Sequence, residues 1–363
     1  MLAREPVEDS GGGLTGRLML SRGAFCAQYR RIRTPILARR PERTVLPSLA
    51  ARALQSTMGL VLKGRLAHDE ATLREGRSRV SGDPPPRLSK QVTVEVSQAG
   101  GQRVFTVRPR DEGPVHGQVL YLHGGGYVNP PASLHWWFIG RLARTLRVIC
   151  TVPLYPRAPE HLCDEGVAFA LEIYERLAGE HGAEHLIVMG DSAGGGLALS
   201  LTMQAIRAGL ARPAALVLLS PWLDVTMTDP TQQELEKVDP LLVRAGPRAA
   251  GRWYAGAMST TDPRVSPLYG DIAGLPPILM FCGTHDILVA DARRLAARAA
   301  AEHADVEYHE EPGLMHVYPM LFFPESRKAQ DRIAHFVRDA VAKSQPTSAR
   351  GLRHDGRTGE LIT

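Results

Sequence analysis

Short apolar runs alternate with longer amphipathic segments through the middle of the chain. The longer segments repeat their apolar residues at the three-to-four-residue spacing of a helix. Two of the short runs, 186–189 and 278–281, are apolar at every position, which is typical of strands buried on both faces. The alternation predicts βαβ units and a mostly parallel sheet. Predicted strands span 92–96, 104–107, 118–122, 147–152, 186–189, 215–219, 277–282 and 306–309, and predicted helices span 133–146, 165–177, 194–208, 291–302 and 325–341.

Several segments depart from this alternation. No helix separates the first two predicted strands, so we expect them to form an antiparallel edge. Residues 45–68 carry apolar residues at helical spacing, which predicts an amphipathic helix that needs an apolar partner. Residues 222–276 interrupt the strand–helix rhythm, and an insertion of this kind usually builds a lid or a pocket wall. The prolines at 84–86 predict a stiff linker that ends any helix.

The two ends of the chain differ from the middle in composition. Residues 1–44 hold nine Arg against four acidic residues, which accounts for the whole net charge of +5. We expect this segment to be a flexible leader, solvated or in contact with an acidic surface, and residues 344–363 to be a disordered tail. The neutral remainder argues against a nucleic-acid partner. Four Cys without a CxxC pair, no signal-peptide order and no apolar stretch of about 18 residues favour a cytoplasmic protein without an integral membrane segment.

A candidate nucleophile lies between a predicted strand and a predicted helix. Residues 190–194 read GDSAG, a G-x-S-x-G pattern that is weak by itself. Its position implies a sharp turn at Ser192, and only glycine on either side lets the backbone pack closely around it. The turn would lift the Ser192 hydroxyl above the sheet at a helix N-terminus. The alternative is a glycine-rich turn with a capping serine.

A second glycine-rich segment directly follows the strand predicted at 118–122. Residues 123–127 read HGGGY, and their amides could stabilise the oxyanion of an acyl-transfer reaction. The candidate donors are the N–H groups of Gly124, Gly125 and Ala193, while His123 is expected to orient the loop. A merely flexible loop is the weaker interpretation, because open α/β sheets bind ligands at the carboxyl ends of their strands.

The base and the acid that a hydroxyl nucleophile needs follow later in the chain. Asp286 directly follows the strand predicted at 277–282, and His316 follows the last predicted strand. Both therefore belong at the same sheet edge as Ser192, in the order serine, acid, histidine. In this hypothesis Ser192 attacks an ester carbonyl, His316 transfers the proton, and Asp286 orients the imidazole. The neighbouring His285 is the weaker candidate for the base.

These motifs together resemble one enzyme family. The segments HGGGY, GDSAGG, G-T-x-D and G-x-x-H, in this order, are similar to those of the hormone-sensitive-lipase group of α/β-hydrolases, which includes bacterial esterases and acetyl-hydrolases. The match runs from about residue 85 to 342. One segment departs from the group: residues 154–160 read LYPRAPE where the group commonly reads DYRLAPE, which leaves the three motif residues intact but alters the local ion pairs.

The resemblance implies an α/β fold with a central, mostly parallel eight-stranded sheet, helices on both faces and an N-terminal helical cap. The cap would comprise residues 45–85 with a contribution from 222–265, and the catalytic domain residues 86–343. Pocket candidates beside the motifs are Tyr127, Trp222, Leu288 and Val317, for which ordinary core packing is equally expected. The resemblance leaves the oligomeric state open, although homodimers are frequent in the group.

The predicted activity is that of a serine carboxylesterase acting on small-molecule esters with short or medium acyl chains, through an acyl-enzyme and without a cofactor. The same residues would serve an amidase or deacetylase, and a homologue that only binds a small ligand is a further alternative. No metal is expected. Residues 181–185 match the zinc motif H-x-x-E-H, but Gly182 disfavours the helix that the motif needs.

Overall fold

One eight-stranded sheet runs through the part of the chain that the computed structural model describes, residues 46–63, 70–77 and 82–343. The predicted leader 1–44 and tail 344–363 lie outside the described residues. The spatial order of the strands is β1-β2-β4-β3-β5-β6-β7-β8. The strands are β1 Val92–Ala99, β2 Gln102–Pro109, β3 Gly117–Leu122, β4 Val148–Pro153, β5 Leu186–Asp191, β6 Ala215–Leu219, β7 Ile278–His285 and β8 Val306–Met315.

Two of the described helices precede the sheet in the chain, and the others lie between or after its strands. Those described are α1 Leu49–Leu62, α2 Glu70–Arg77, α3 Ser133–Leu146, α4 Cys163–His181, α5 Ala193–Arg207, α6 Gln232–Val238, α7 Ala245–Ala255, α8 Val289–Glu302 and α9 Pro324–Lys343. The five helices and eight strands predicted in the catalytic region are all present, with boundaries that differ by a few residues. The helix predicted over 45–68 is present as Leu49–Leu62, and residues 45 and 64–68 of that prediction lie outside the described residues. The predicted proline linker is followed from Pro86 by a short 3₁₀ helix.

Alternate side chains of the central strands enter two separate cores. On β5, Leu186 and Val188 pack into one core, whereas Ile187 and Met189 pack into the other. Helices α4, α5 and α8 cover the first core, and α3 and α9 cover the second. Both faces of the strand are therefore buried, as its uninterrupted apolar sequence predicts. The architecture is a mostly parallel α/β sheet with helices on both faces.

The pairing of the strands brings the candidate motifs to one edge. Strands β1 and β2 are antiparallel, which confirms the predicted edge, and β2 also pairs antiparallel with β4. The six strands β3 to β8 are parallel to one another, so their carboxyl ends meet at one side of the sheet. The chain leaves this side after β3, β5, β7 and β8, and those exits carry Gly124, Ser192, Asp286 and His316.

The N-terminal helices pack on loops at this same side. Ser48, before α1, donates to the Glu325 carboxylate through its backbone N–H at 2.6 Å and its hydroxyl at 2.9 Å. At the other end of α1, the Lys63 ammonium donates to the carbonyls of Glu236 and Asp239 at 2.9 and 2.6 Å. Helix α2 packs against α7, where Trp253 donates to Glu70 at 3.1 Å.

None of the described helices has both the length and the apolar composition required to cross a lipid bilayer. The zinc-like sequence 181–185 does not form one helix, because α4 ends at His181 and Gly182 adopts a φ of 83° before a separate 3₁₀ turn. The two histidines of the motif therefore do not share a helical face.

Candidate active site

Ser192 occupies a strained turn between β5 and α5. Its φ of 52° and ψ of −123° lie where a residue with a side chain is rarely found. Its backbone N–H donates to the carbonyl of Leu219 at 2.9 Å, and its carbonyl accepts from the N–H of Trp222 at 2.8 Å. These two bonds tie the turn to the end of β6, and the half-buried side chain sits at the N-terminus of α5.

The glycines around this turn are required by close backbone approach. A Cβ on Gly190 would overlap the carbonyl of Gly194, so the strand before the turn touches the helix after it. A Cβ on Gly194 would overlap the carbonyl of Leu122, the last residue of β3. The sequence interpretation of these glycines as sites of close packing is therefore confirmed. The contact with Leu122 also brings the HGGGY segment next to the start of α5.

The amides of this glycine segment do not all remain free. The N–H of Gly124 donates to Asp191 Oδ1 at 3.0 Å, so it is not available to bind an oxyanion, contrary to the expectation for this residue. Gly125 has a φ of 123°, and a Cβ there would lie 2.5 Å from the carbonyl oxygen of Asn129. Among the hydrogen bonds of residues 82–343, none is donated by the N–H groups of Gly125, Gly126 or Ala193.

Asp191, the residue before Ser192, is the centre of a buried hydrogen-bond network that sequence reasoning missed. Besides the Gly124 amide, it accepts from the Tyr121 hydroxyl at 2.8 Å and lies 3.1 Å from His135 Nε2. Since His135 Nδ1 accepts from the Ala132 N–H at 3.0 Å, the Nε2–H is left to donate to Asp191. Burial disfavours the carboxylate, but His135 and the hydrogen bonds outweigh it and hold the pKa of Asp191 below its ordinary value.

His123 holds the start of the glycine segment. Its ring stacks on Tyr155 with centroids 4.4 Å apart, and its Nδ1 lies 2.7 Å from the carbonyl of Gly124. Complete burial lowers the pKa of His123 to about 3, so the neutral ring donates its Nδ1–H to that carbonyl. The Tyr155 hydroxyl donates to the His123 carbonyl at 2.7 Å. These contacts orient the loop, the role expected for His123 from the sequence.

Asp286 and His316 meet across the ends of β7 and β8. His316 Nδ1 lies 2.8 Å from Asp286 Oδ2, and the Leu288 N–H donates to Asp286 Oδ1 at 2.9 Å. Asp286 is fully buried and His316 is 7% exposed. Burial opposes a charged imidazole, yet the charge and hydrogen bond of Asp286, helped by the more distant Asp239 and Asp191, raise the pKa of His316 above its ordinary value.

The end of β6 connects this pair to the serine turn. Ser220 donates its N–H to the carbonyl of Phe281 at 2.7 Å, and its hydroxyl accepts from the Val317 N–H at 2.9 Å. Ser220 thus joins the residue after His316 to the strand next to Ser192. Within residues 82–343, no hydrogen bond joins the Ser192 hydroxyl to His316. The imidazole is nevertheless close enough to Asp191 for that charge to contribute to its pKa.

A second buried acid beside Asp286 had no signal in the sequence. Asp239 Oδ2 accepts from the Ile287 N–H at 2.9 Å, while its Oδ1 accepts from the N–H groups of Leu241 and Leu242 at 2.8 and 2.9 Å. Burial, followed by the charge of Asp286, raises the pKa of Asp239 to about 6. Asp239 follows α6, so it links the segment predicted to contribute to the cap with the loop that carries Asp286.

The four predicted pocket residues have different environments. Tyr127 and Trp222 are buried and lie in an aromatic cluster with Tyr254: the Tyr127 ring stacks on Tyr254 with centroids 3.7 Å apart and on Trp222 at 5.5 Å. Leu288 is also buried, in the core beneath the Asp286 loop, whereas Val317 is half-buried with a φ of 50°. The Tyr127 hydroxyl reaches Gly196, one helical turn after Ser192.

The weaker candidates from the sequence stay apart from this arrangement. His285 is half-buried, and burial lowers its pKa, but its ring makes none of the hydrogen bonds found for residues 82–343. The thiol of Cys282 lies 3.5 Å from Asp286 Oδ2, and burial raises its pKa well above the ordinary value, which disfavours a thiolate. No group of three or more metal-ligating side chains occurs in the described ranges.

Comparison with known proteins identifies similar chains. A family model described as the alpha/beta hydrolase fold matches residues 119–320. An acetyl-hydrolase of Streptomyces hygroscopicus is 32% identical over 84% of this chain and 98% of its own, and an esterase of Acinetobacter venetianus is 33% identical over 60% of this chain and 74% of its own. The solved structure of a hormone-sensitive lipase from a metagenome library has a TM-score of 0.70 and 26% identity, covering 80% of this chain and 98% of that one.

Proposed function

The chain belongs to the hormone-sensitive-lipase group of the α/β-hydrolase family, and on that premise we propose that it is a serine carboxylesterase acting on small-molecule esters. The observation that carries this proposal is the buried His316–Asp286 pair, 2.8 Å apart, at the sheet edge where the strained Ser192 turn also ends. A fold alone does not fix a reaction, but a buried acid–histidine pair at the same sheet edge as a strained serine turn supports acyl transfer.

Ser192 would act as the nucleophile. His316 Nε2 takes the hydroxyl proton while Ser192 Oγ bonds to the ester carbonyl carbon, and it then returns the proton to the leaving alcohol. Water hydrolyses the resulting acyl-enzyme by the same steps in reverse. Asp286 accepts the Nδ1–H of His316, which fixes the tautomer and stabilises the imidazolium. Substrate binding would bring Ser192 Oγ and His316 into the hydrogen bond that the first step needs.

The oxyanion donors in this mechanism are the amides of Gly125, Gly126 and Ala193. They replace the set that included Gly124, since the Gly124 N–H is bonded to Asp191. Ala193 is the first residue of α5, so its N–H lacks an intrahelical partner and the helix dipole favours a negative charge beside it. Gly125 and Gly126 have positive φ angles and no side chain, so no side chain would block the approach of a substrate to their amides.

The aromatic cluster formed by Tyr127, Trp222 and Tyr254 supports a short acyl pocket. The three rings are at most 2% exposed and fill the space behind the HGGGY segment and the first turn of α5. In this proposal the acyl group lies beside these rings, so a long acyl chain would have to displace one of them. Helices α1, α2, α6 and α7 would form the cap over this pocket, and Val317 beside His316 would contact the alcohol.

Two other activities use the same side chains. An amidase or deacetylase would need the identical nucleophile and donors, and matched ester and anilide substrates separate it from an esterase. A protein that only binds a ligand would have no need of the strained serine turn or the buried acid–histidine pair, so these features favour turnover.

Covalent labelling tests the proposal. We expect a short-chain organophosphonate to add one phosphonyl group per chain, on the peptide that contains Ser192, and to abolish hydrolysis of p-nitrophenyl acetate. Ser192→Ala should prevent both labelling and hydrolysis, while the exposed Ser89→Ala should change neither. Full hydrolytic activity in Ser192→Ala would remove Ser192 as the nucleophile, and labelling of another serine would relocate the site.

A further inference from the structure

Six large apolar side chains are exposed along α1 and at its two ends. They are Leu46, Leu49, Leu60, Val61, Val238 and Phe322, with exposed fractions between 46% and 87%, and together we call them the apolar ridge. Leu49 and Leu60 are eleven residues apart, which places them on one face of the helix. The opposite face of α1, which includes Ala51 and Leu54, packs against the core.

Contacts at both ends of α1 gather the ridge residues. Leu46 and Leu49 flank Ser48, which bonds to Glu325, and Phe322 lies three residues before that glutamate. Leu60 and Val61 precede Lys63, whose ammonium bonds to the carbonyls on both sides of Val238. The ridge residues therefore form one group at each end of α1, about 16 Å apart along the helix, and Arg52, Ala53, Ser56 and Thr57 are exposed between them.

The ridge lies on the outer side of the loops that carry the acid and the base. A Cβ on Gly313, three residues before His316, would meet Pro47 at 2.7 Å. At the other end, Pro240 packs within 3.5 Å of a Cβ built on Gly59, and the adjacent Asp239 bonds to the N–H of Ile287. The two ends of α1 are thus in contact with the segments that carry His316 and Asp239.

Positive charge accompanies this apolar surface. Near the ridge itself, Arg52 is exposed on α1, Arg327 and Lys328 are exposed after Phe322, and the Arg141 guanidinium lies 4.6 Å from the Phe322 ring centroid. Apolar side chains bordered by basic ones are the pattern of helices that lie in the headgroup region of a bilayer.

We propose that the apolar ridge, together with the basic side chains beside it, binds the surface of a membrane that contains anionic phospholipid. The ridge side chains would enter the boundary between headgroups and acyl chains, and the arginines would interact with the lipid phosphates. A second copy of the chain is a poorer occupant, because association through this face would bring two sets of basic side chains together. This inference concerns binding and does not depend on the proposed esterase activity.

Vesicle flotation of the full chain tests the inference. The parent protein and its variants all carry Ser192→Ala, so that the lipids are not hydrolysed. We expect binding to phosphatidylcholine vesicles with about 30% phosphatidylglycerol, little binding to phosphatidylcholine alone, and loss of binding at about 0.5 M NaCl. The exposed-face double variant Leu49→Gln/Leu60→Gln should weaken binding on the order of tenfold. Val96→Gln, at a 61% exposed position on β1, is the matched control and should bind as the parent does. Unchanged binding by the ridge variant, or no binding by the parent, would overturn the inference.

A fluorescent probe distinguishes the other occupants. Leu60→Cys in a Cys26→Ser background can be labelled with an environment-sensitive dye, because the remaining three cysteines are buried. The dye should report water in the free protein and an apolar environment after anionic vesicles are added. An apolar signal without vesicles would mean that protein already covers the ridge and would contradict the inference. Dilution then identifies the cover: the signal falls if a second copy is responsible and persists if residues 1–44 are.

Discussion

The backbone N–H of Gly124 donates a 3.0 Å hydrogen bond to the side chain of Asp191, the residue immediately before Ser192. This bond joins the glycine segment after β3 to the serine turn after β5. The bond occupies the Gly124 amide, which the sequence offered as an oxyanion donor. It also fixes the loop that carries the amides of Gly125 and Gly126. Asp191 is thus a positioning residue in the proposed site, acting through the glycine segment.

Substitution of Asp191 should destabilise the protein in proportion to the number of partners left unpaired. Asp191→Ala removes the acceptor of the Tyr121 hydroxyl, the Gly124 amide and the His135 Nε2–H, and we expect the free energy of unfolding to fall by about 3–5 kcal/mol. Asp191→Asn keeps an oxygen for Tyr121 and Gly124 but sets an N–H against His135, so a loss of about 1–2 kcal/mol is expected. Urea unfolding measures both, and equal losses would refute this account of the network.

Two helical glycines, Gly194 beside the serine turn and Gly179 on α4, differ in the space around them. Gly194→Ala would press a Cβ into the carbonyl of Leu122, which is backbone and cannot move aside, so we expect a loss of about 3 kcal/mol in unfolding free energy. Gly179→Ala, at an exposed position of α4 with open space around it, should gain about 0.5–1 kcal/mol from the reduced freedom of the unfolded chain. Thermal unfolding of the two variants should shift in opposite directions, and shifts of the same sign would contradict the packing argument.

Periodicity predicted the elements of the sheet because each strand is buried on both faces or begins and ends at a turn signal. Strand β6, Ala215–Leu219, has the predicted boundaries. Strand β8 runs to Met315, six residues beyond its predicted end, since pairing with β7 continues through a stretch whose Glu-Glu-Pro-Gly sequence is typical of a loop. Helix α2 lies within the cap helices expected over 45–85, but periodicity did not predict its bounds. Its sequence is mostly polar, and contact with α7 stabilises a helix that its own pattern does not indicate.

Some site residues can be predicted from the sequence around them, and others cannot. Ser192, Asp286 and His316 each follow a predictable strand, so topology alone brings them to one edge. Asp239 and His135 have no such marker, because their roles depend on contacts with residues distant in sequence. The loss of the Gly124 amide to Asp191 is likewise a tertiary effect, which the spacing of the glycine motif cannot reveal.

Truncation of Tyr254 should change the acyl-chain preference of the proposed esterase. Tyr254→Ala removes the ring that stacks on Tyr127 at 3.7 Å and opens space beside the first turn of α5. We expect the ratio of kcat/KM for p-nitrophenyl hexanoate to that for the acetate to rise by about tenfold, in the range that pocket methylenes provide. The ratio does not depend on the fraction of folded enzyme. Tyr254→Phe retains the ring and should leave the ratio unchanged, and an unchanged ratio in Tyr254→Ala would exclude this pocket.

The pH dependence of hydrolysis should depend on the carboxylates around His316. Only the neutral imidazole can accept the Ser192 proton, so kcat/KM should fall as the pH drops below the pKa of His316, which lies above the ordinary histidine value. Asp286→Asn removes the main charge that raises this pKa and leaves the burial that lowers it, so the inflexion should move to lower pH. The same change should reduce the plateau rate on the order of 10⁴-fold, because the tautomer is no longer held.

Asp239→Asn provides the graded control for that prediction. Its charge also raises the pKa of His316, but it makes no hydrogen bond to the imidazole, so the inflexion should move in the same direction by less while the plateau rate largely persists. The comparison separates electrostatic from orienting effects, because Asp239 contributes the first and Asp286 both. An inflexion that stays in place in both variants would mean that a group other than His316 titrates. If Asp239→Asn lowered the plateau rate as much as Asp286→Asn, the claim that only Asp286 orients the imidazole would be wrong.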